Sequence, residues 1–251
     1  MKDDLAVALY GKVKEDNEVR VFEHWHYSSL AECPRTQYFK RLGIKPTVTV
    51  GAGKMLRWKA GHIIEEVVRP YLEAIYPDLD SNTRMTDEDD DATGEYDNYS
   101  EKEATIIEIK SVNGRAFRYR KVSEHRNHLR DDQPYPNHML QNHGYVRQLR
   151  KRGKPVEFIH FVYISLDGLI ATYKVPVSQT YLSDVEGRLK TLNTAWATQT
   201  PPECICNDHD HKYAKSTMQY CDYKNGSDCC SLELLNNNND KVIGDDNQEW
   251  S

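Results

Sequence analysis

Residues 106–111 place two charged side chains inside a run of isoleucines. Successive side chains of a strand point to opposite faces, so Glu108 and Lys110, two positions apart, project to the same face. The isoleucines predict a buried strand. Burying charged side chains in such a strand costs free energy, so their presence there suggests a functional role. An acid beside an amine suits a metal-dependent phosphodiesterase, in which the acid holds an ion and the amine orients a water or steadies the phosphate. Taken alone, such a pair is more often a cross-strand salt bridge.

Length and composition allow one sizeable domain, or one domain with a small appendage, in 251 residues. The hydrophobic fraction of 38% is enough for a core. No apolar run approaches the roughly 20 residues of a membrane span, and residues 1–4 do not open a signal peptide. We therefore expect a cytoplasmic protein without a membrane partner. The net charge of −6 argues against a general nucleic-acid coat protein but not against a nucleic-acid enzyme.

The order of the predicted elements favours an α/β fold, in the sense of an α+β mixed sheet with flanking helices. Helices are predicted from a capping box at 29–32 to a stop near Gly43, and over 54–75, 138–151 and 177–197. Strands are predicted around 94–97 and over 105–111, 156–165 and 169–175, with a polar loop at 78–91. We expect a main domain over 1–198, a cysteine-rich segment over 199–232 and a disordered tail over 233–251.

Three carboxylates are candidates for one metal site. Adjacent glutamates at 65 and 66 stand among apolar helix positions, so one of them should face inward; Glu65 is our choice and Glu66 the fallback. Asp97 ends a strand just before the strand of Glu108, and the two can meet across a hairpin. Converging carboxylates repel each other unless a cation neutralises them, and hard divalent ions prefer such oxygen ligands. Taken alone, the adjacent glutamates would also suit an exposed acidic helix face, and Asp97 would also suit the cap of a turn.

Gln141 and Tyr145 are four residues apart, which places them on one face of the predicted helix. An amide and a phenol in this arrangement can bind phosphate or sugar and stack a base. Packing of the same pair in the core is the alternative.

Together, Glu65, the G-x-x-D segment 94–97, the E-x-K segment 108–110 and the Q-x-x-x-Y segment 141–145 resemble the motifs of RecB-type PD-(D/E)XK nucleases. The resemblance covers roughly residues 28–175. It implies a restriction-endonuclease-like core in which Glu65, Asp97, Glu108 and the carbonyl group of Ile109 hold Mg²⁺ or Mn²⁺. Lys110 would then orient or deprotonate a water, and Gln141 and Tyr145 would position the DNA strand.

The activity implied is a metal-dependent DNA exonuclease preferring single-stranded ends, in a bacterial, archaeal or phage-infected cell. Its role would be recombination, repair or end processing, of the phage type or in CRISPR spacer trimming, with a helicase or a recombination or CRISPR-adaptation protein as possible partner. The basic stretches 115–130 and 147–154 would line a DNA channel. A non-catalytic DNA-binding or scaffold module on the same fold is the alternative from another class, and a zinc-binding regulatory protein is a third.

The six cysteines extend the resemblance. Residues 28–35, around Cys33, resemble the N-terminal cysteine helix of iron–sulfur members, including the fourth Cas family and helicase-nucleases of the AddB kind. In those proteins one N-terminal and three C-terminal cysteines hold a 4Fe–4S cluster that joins the ends of the nuclease fold. The resemblance implies that Cys33, Cys206, Cys221 and Cys229 are the ligands, with Cys204 and Cys230 as substitutes. Met218 stands where a further cysteine is expected. His209 and His211 make zinc the competitor, and free buried thiols are the remaining interpretation.

Overall fold

The computed structural model describes residues 8, 11–13, 21–48, 51–112, 134–206, 221–225 and 228–229. Four helices within these residues are α1 (Pro34–Arg41), α2 (Ala52–Ile75), α3 (Pro136–Lys151) and α4 (Gln179–Ala197). The strands are β1 (Trp25–His26), β2 (Leu79–Asp87), β3 (Ala92–Ser100), β4 (Thr105–Val112), β5 (Phe158–Ser165), β6 (Ile170–Pro176), β7 (Lys224–Asn225) and β8 (Asp228–Cys229). None of the described helices is long and apolar enough to cross a membrane.

A six-stranded mixed sheet forms the centre of the fold. Strands β2 and β3 are antiparallel, β3 and β4 are antiparallel, β4 and β5 are parallel, and β5 and β6 are antiparallel. The short strand β1 runs parallel to the first residues of β3. The antiparallel β3–β4 pair confirms the predicted hairpin, and the sheet confirms the predicted mixed topology.

Two apolar cores cover the two faces of the sheet. Ile106 of β4 faces the larger core, which is formed with α1, α3 and α4. Ile107 and Ile109 face the smaller core, to which α2 contributes Leu72. This alternation is the period-two pattern expected of a central strand buried on both faces.

Two predicted elements differ from the structure. The predicted loop 78–91 is wrong because residues 79–87 form β2, which pairs along its length with β3. The strand is polar because it lies at an edge of the sheet and remains partly exposed, so its composition resembles that of a loop. The predicted capping box is also wrong: Ser29 ends a 3-10 turn, and α1 begins at Pro34 with Cys33 as its N-cap. Proline lacks the N–H group and has a fixed φ, which suits the first helical position.

A wedge of two tyrosines joins the sheet to α3. The rings of Tyr27 and Tyr145 meet edge to face, with 5.8 Å between their centroids. Both rings lie against glycines: a Cβ atom on Gly94 would lie 2.5 Å from Cε1 of Tyr145, and one on Gly144 would lie 2.3 Å from Cδ1 of Tyr27. The two glycines therefore allow β3 and α3 to approach each other around the aromatic pair.

We expect Gly144→Ala to lower the free energy of unfolding by about 1–3 kcal/mol, because the added methyl group overpacks the tyrosine wedge. Gly187→Ala is the matched control, since the residue lies inside α4 and no side chain of the described residues outside its chain neighbours lies within 4 Å of the added Cβ. The control variant should be unchanged or up to about 1 kcal/mol more stable. Urea denaturation of both variants checks this, and equal stability of the two would contradict the wedge.

Candidate active site

The site forms where β3 separates from β4. The two strands pair from Asn98 to Ser100 on β3, opposite Thr105 to Ile107 on β4, and then diverge. Beyond the divergence, the backbone N–H group of Ile109 donates to Oδ2 of Asp97 at 2.7 Å. A side-chain carboxylate thus takes over the hydrogen bond that a neighbouring strand would otherwise supply, and it lies beside Glu108 and Lys110.

Glu108 is fully buried and faces α3. Its Oε1 atom accepts from Nε2 of Gln141 at 3.2 Å and forms an ion pair with Nζ of Lys110. Its Oε2 atom has no hydrogen-bond partner among the described residues. Burial, reinforced by the nearby charge of Asp97, raises the pKa of Glu108 to about 8. A divalent cation suits this carboxylate, because it would bind the oxygen atom that has no partner among the described residues. The cation would also favour the ionised form of Glu108.

Lys110 is held as a cation in this environment. Burial disfavours the charged ammonium group, but Glu108 and Asp97 outweigh that effect and raise the pKa of Lys110 above its usual value. The group therefore carries positive charge at neutral pH in the arrangement described. This electrostatic setting suits orientation of a water or contact with a phosphate better than proton abstraction.

Glu65 approaches from α2, the helix on the opposite face of the sheet. Burial and then Asp97 raise the pKa of Glu65, while Lys110 lowers it, so the three groups interact electrostatically. Its Oε2 atom lies 3.5 Å from Nδ1 of His62. Of the two predicted candidates, Glu65 is partly buried and Glu66 is exposed. The structure therefore places Glu65, not Glu66, with Asp97 and Lys110.

Gln141 and Tyr145 lie on the side of α3 that faces Glu108. The Nε2 atom of Gln141 donates to the hydroxyl group of Tyr145 at 2.7 Å as well as to Glu108. Tyr145 is almost fully buried, and Gly94 and Tyr27 cover its ring. The buried position of Tyr145 therefore does not fit the predicted stacking on a base. Its hydroxyl group instead accepts a hydrogen bond from the amide of Gln141.

Three features near this site were not predicted from the sequence. Gly61, one turn before Glu65, is buried, and its Cβ position would lie 3.0 Å from Oγ of Ser111, so a glycine there lets α2 approach β4 closely. Asn142 is fully buried, and its Oδ1 atom has no partner among the described residues. Arg69, one turn after Glu65, has a buried Nε atom that is likewise without a partner within the described ranges. Only spacing from Glu65 and Gln141 could have suggested these positions.

The basic stretch 147–154 is engaged within the fold. Arg147 and Lys151 form ion pairs with Asp87 and Asp90 at the β2–β3 turn. Arg150 and Arg152 donate to the carbonyl oxygens of Val156 and Thr86. The acidic run 87–91 and this basic stretch therefore neutralise each other, which does not favour the predicted DNA channel there. The other basic stretch, 115–130, lies outside the described residues.

Cysteines from both ends of the described chain form a second cluster. The Sγ atoms of Cys33 and Cys204 lie 3.8 Å apart, and those of Cys33, Cys204 and Cys206 all lie within 4.8 Å of one another. Cys221 is buried, with its Sγ atom 3.7 Å from Oγ1 of Thr36. The cluster thus contains Cys204 and Cys206 together, where the sequence had favoured Cys206 with Cys204 as a substitute. The side chain of Cys229, and Cys230, His209 and His211 entirely, lie outside the described residues.

Contacts between the two segments surround this cluster. Nε of Arg35 donates to the carbonyl oxygen of Pro202 at 2.7 Å, and the hydroxyl group of Tyr223 donates to that of Ile44 at 2.9 Å. The ring of Tyr223 also packs edge to face against Phe39 of α1. The described part of the cysteine-rich segment therefore packs on the N-terminal helix.

Comparison with known proteins identifies the fold. No protein-family model and no curated protein matches the chain. Among solved structures, the exonuclease LHK-Exo from Laribacter hongkongensis, in complex with dAMP, is 13% identical with a TM-score of 0.50, over 70% of this chain and 89% of that chain. SSO0001 is 17% identical with a TM-score of 0.47, over 82% and 93%. A phage-related exonuclease from Haemophilus somnus is 14% identical with a TM-score of 0.42, over 70% and 94%.

The match to LHK-Exo concerns the fold alone, given the low sequence identity. The predicted fold class, an α/β fold with a mixed sheet and flanking helices, is confirmed.

Asp97 provides a test that separates structure from chemistry. We expect Asp97→Ala to lower the free energy of unfolding by about 1–3 kcal/mol, because the N–H group of Ile109 loses its acceptor. Asp97→Asn keeps an acceptor oxygen and should retain most of the stability, while losing the negative charge. Urea denaturation without divalent ions measures the difference. If the asparagine variant were as unstable as the alanine variant, the hydrogen bond would not be the stabilising contact.

Proposed function

We propose that this protein is a divalent-metal-dependent DNA exonuclease that prefers single-stranded ends. The observation that carries the proposal is the buried Oε2 atom of Glu108, which has no hydrogen-bond partner among the described residues and lies near the charges of Asp97 and Lys110. A buried carboxylate oxygen is costly to leave uncompensated, and Mg²⁺ and Mn²⁺ bind oxygen ligands of this kind. LHK-Exo, which shares the fold, is named an alkaline exonuclease and was crystallised with the deoxynucleotide dAMP.

In this proposal each side chain has one task. Glu65, Asp97, Glu108 and the carbonyl oxygen of Ile109 hold the ion, which when bound would acidify a water and neutralise charge on the phosphate. Lys110, as a fixed ammonium group, orients the attacking water or contacts the phosphate. Gln141 keeps the carboxylate of Glu108 in place and is itself held by Tyr145.

The preference for single strands is supported by the depth of the site. Glu108 has no exposed surface, and it lies where β3 and β4 diverge. A single strand is flexible enough to bring one phosphate to such a buried group, whereas a paired duplex is wider and stiffer. The resemblance to RecB-type nucleases supports a task in recombination, repair or end processing, including CRISPR spacer trimming, alongside a helicase or an adaptation protein.

Cleavage of end-labelled DNA tests the proposal. With Mn²⁺ or Mg²⁺, the protein should release nucleotides from single-stranded DNA faster than from duplex DNA, and EDTA should stop the reaction. Glu108→Gln and Glu65→Gln should each lower the rate at least about 100-fold, since each removes a charged ligand of the ion. Glu66→Gln is the matched control: it is the exposed neighbour on the same helix and should leave the rate unchanged.

Two results would count against the proposal. Binding of DNA without cleavage, under every divalent ion tried, would favour the non-catalytic module on the same fold. Equal loss of activity in the Glu65 and Glu66 variants would indicate an effect on α2 as a whole. Circular dichroism of each variant shows whether the helix content has been preserved.

Arg69 offers a separate test of the DNA-binding face. Its unpartnered Nε atom lies one turn along α2 from Glu65, where a guanidinium group can bind a phosphate. We expect Arg69→Gln to weaken binding of single-stranded DNA and to reduce the slope of log affinity against log salt by about 0.7. Arg57→Gln, an exposed change on the same helix, is the control. Fluorescence anisotropy in the inactive Glu108→Gln background provides the measurement, and an unchanged salt slope would exclude a phosphate contact.

A further inference from the structure

The spacing of the three clustered thiols matches a single tetrahedral ion. Zinc binds thiolates at about 2.3 Å, and four ligands at tetrahedral angles then lie about 3.8 Å from each other. The Sγ atoms of Cys33 and Cys204 are 3.8 Å apart, and no pair among Cys33, Cys204 and Cys206 exceeds 4.8 Å. One ion at the centre of these three sulfur atoms can therefore contact all of them without rearrangement of the backbone.

A 4Fe–4S cluster requires a different arrangement. Each of its cysteines binds a different iron at a different corner of the cube, so the cluster itself separates the sulfur atoms. The three described thiols are too close together to bind separate corners. As placed, they do not fit the cluster that the resemblance implies.

The surrounding contacts leave little freedom to spread the thiols. Cys33 and Cys206 are each only 1% exposed. The backbone on either side of Cys33 is tied down: Nη1 of Arg188 donates to the carbonyl oxygens of Leu30 and Glu32, and Arg35 donates to that of Pro202. These contacts hold the backbone beside the thiols in place.

The charge at the cluster also requires a cation once the thiols ionise. Cys33 is the N-cap of α1, so its sulfur lies near the positive end of a helix dipole, which favours the thiolate. Several thiolates within this distance repel each other, and a divalent ion removes that repulsion.

Cys221 places a further sulfur near the same helix, outside the group of three whose sulfur atoms all lie within 4.8 Å of one another. Its Sγ atom contacts Thr36, which lies one turn after Cys33 on α1. Its position is fixed by the next two residues: the carbonyl oxygen of Asp222 accepts from the N–H group of Val48 at 3.0 Å, and Tyr223 donates to Ile44.

We propose that Cys33, Cys204 and Cys206 bind one structural zinc ion and that the side chain of Cys221 moves in as the fourth ligand when the ion binds. The ion would join the segment before α1 to the two C-terminal segments that carry the other cysteines. All four ligands would be thiolates, which closes the coordination sphere and leaves no position for a substrate or a water. This zinc site is independent of the proposed nuclease activity, and either can be correct without the other.

Metal analysis of the full-length protein tests the proposal. The protein should be purified without oxygen from cells supplied with both iron and zinc, so that an oxidised cluster cannot be lost unnoticed. We expect about one zinc per chain, no acid-labile sulfide and no visible absorption band. Iron and sulfide in equal amounts with a visible band would overturn the proposal, and so would a protein that contains no metal.

Variants then identify the ligands on folded protein. Cys206→Ser and Cys221→Ser should each lower zinc affinity at least about 100-fold in competition with a chromophoric chelator. Ile205→Val is the matched control, because it lies between two ligands and changes neither. Replacement of zinc by Co²⁺ gives a second readout: four thiolates around one ion produce the intense visible bands of tetrahedral cobalt. Weak octahedral bands, or unchanged affinity in both serine variants, would refute the ligand set.

Discussion

The hydrogen bond from Ile109 to Asp97 is the contact on which the candidate active site depends. A central strand must satisfy its N–H groups on both edges, and β4 loses its neighbour beyond Ile107, because the residues of β3 that precede Asn98 do not pair with it. The carboxylate of Asp97 fills that place at 2.7 Å. The same carboxylate is thereby held near Glu108, where its charge acts on that buried group. The arrangement that opens the sheet is therefore the one that also positions an acid in the opening.

The charged groups around that opening contribute little to the stability of the fold, but they suit the binding of an ion. Burial raises the pKa of Glu108 to about 8, which means that folding disfavours its ionised form. Below the ordinary pKa of a glutamate, Glu108 is protonated in both the folded and the unfolded state, so its raised pKa does not change the free energy of unfolding. Above that pKa, the free energy of unfolding is lowered progressively as the pH rises towards 8. Lys110 acts in the opposite direction, because its carboxylate neighbours raise its pKa and favour the charged form. A bound cation would stabilise the ionised form of Glu108 and so remove the destabilisation that its burial causes.

The strand of Glu108 could be predicted from the sequence because an apolar run with isoleucines on both faces has few alternatives to a central strand. The shared helix face of Gln141 and Tyr145 also follows from the helix period, whereas the contact of Gln141 with Glu108 comes from the structure. The edge strand β2 could not be predicted, since its polar residues are satisfied by exposure and by pairing with β3. Nor could spacing distinguish Cys204 from Cys206: a C-x-C pair offers two sulfur atoms, and only the packing of 201–206 against α1 shows that both reach Cys33.

The two candidate metal sites are connected by a continuous set of packed residues. Cys33 begins α1 and is separated by a short turn from Tyr27, which lies against Gly144 and meets Tyr145 edge to face. Tyr145 in turn holds Gln141, and Gln141 contacts Glu108. A metal ion that fixes Cys33 also limits the movement of Tyr27, because only five residues separate the two. The cysteine cluster can therefore support the geometry at Glu108 without touching substrate, through the position of one aromatic wedge between a strand and a helix.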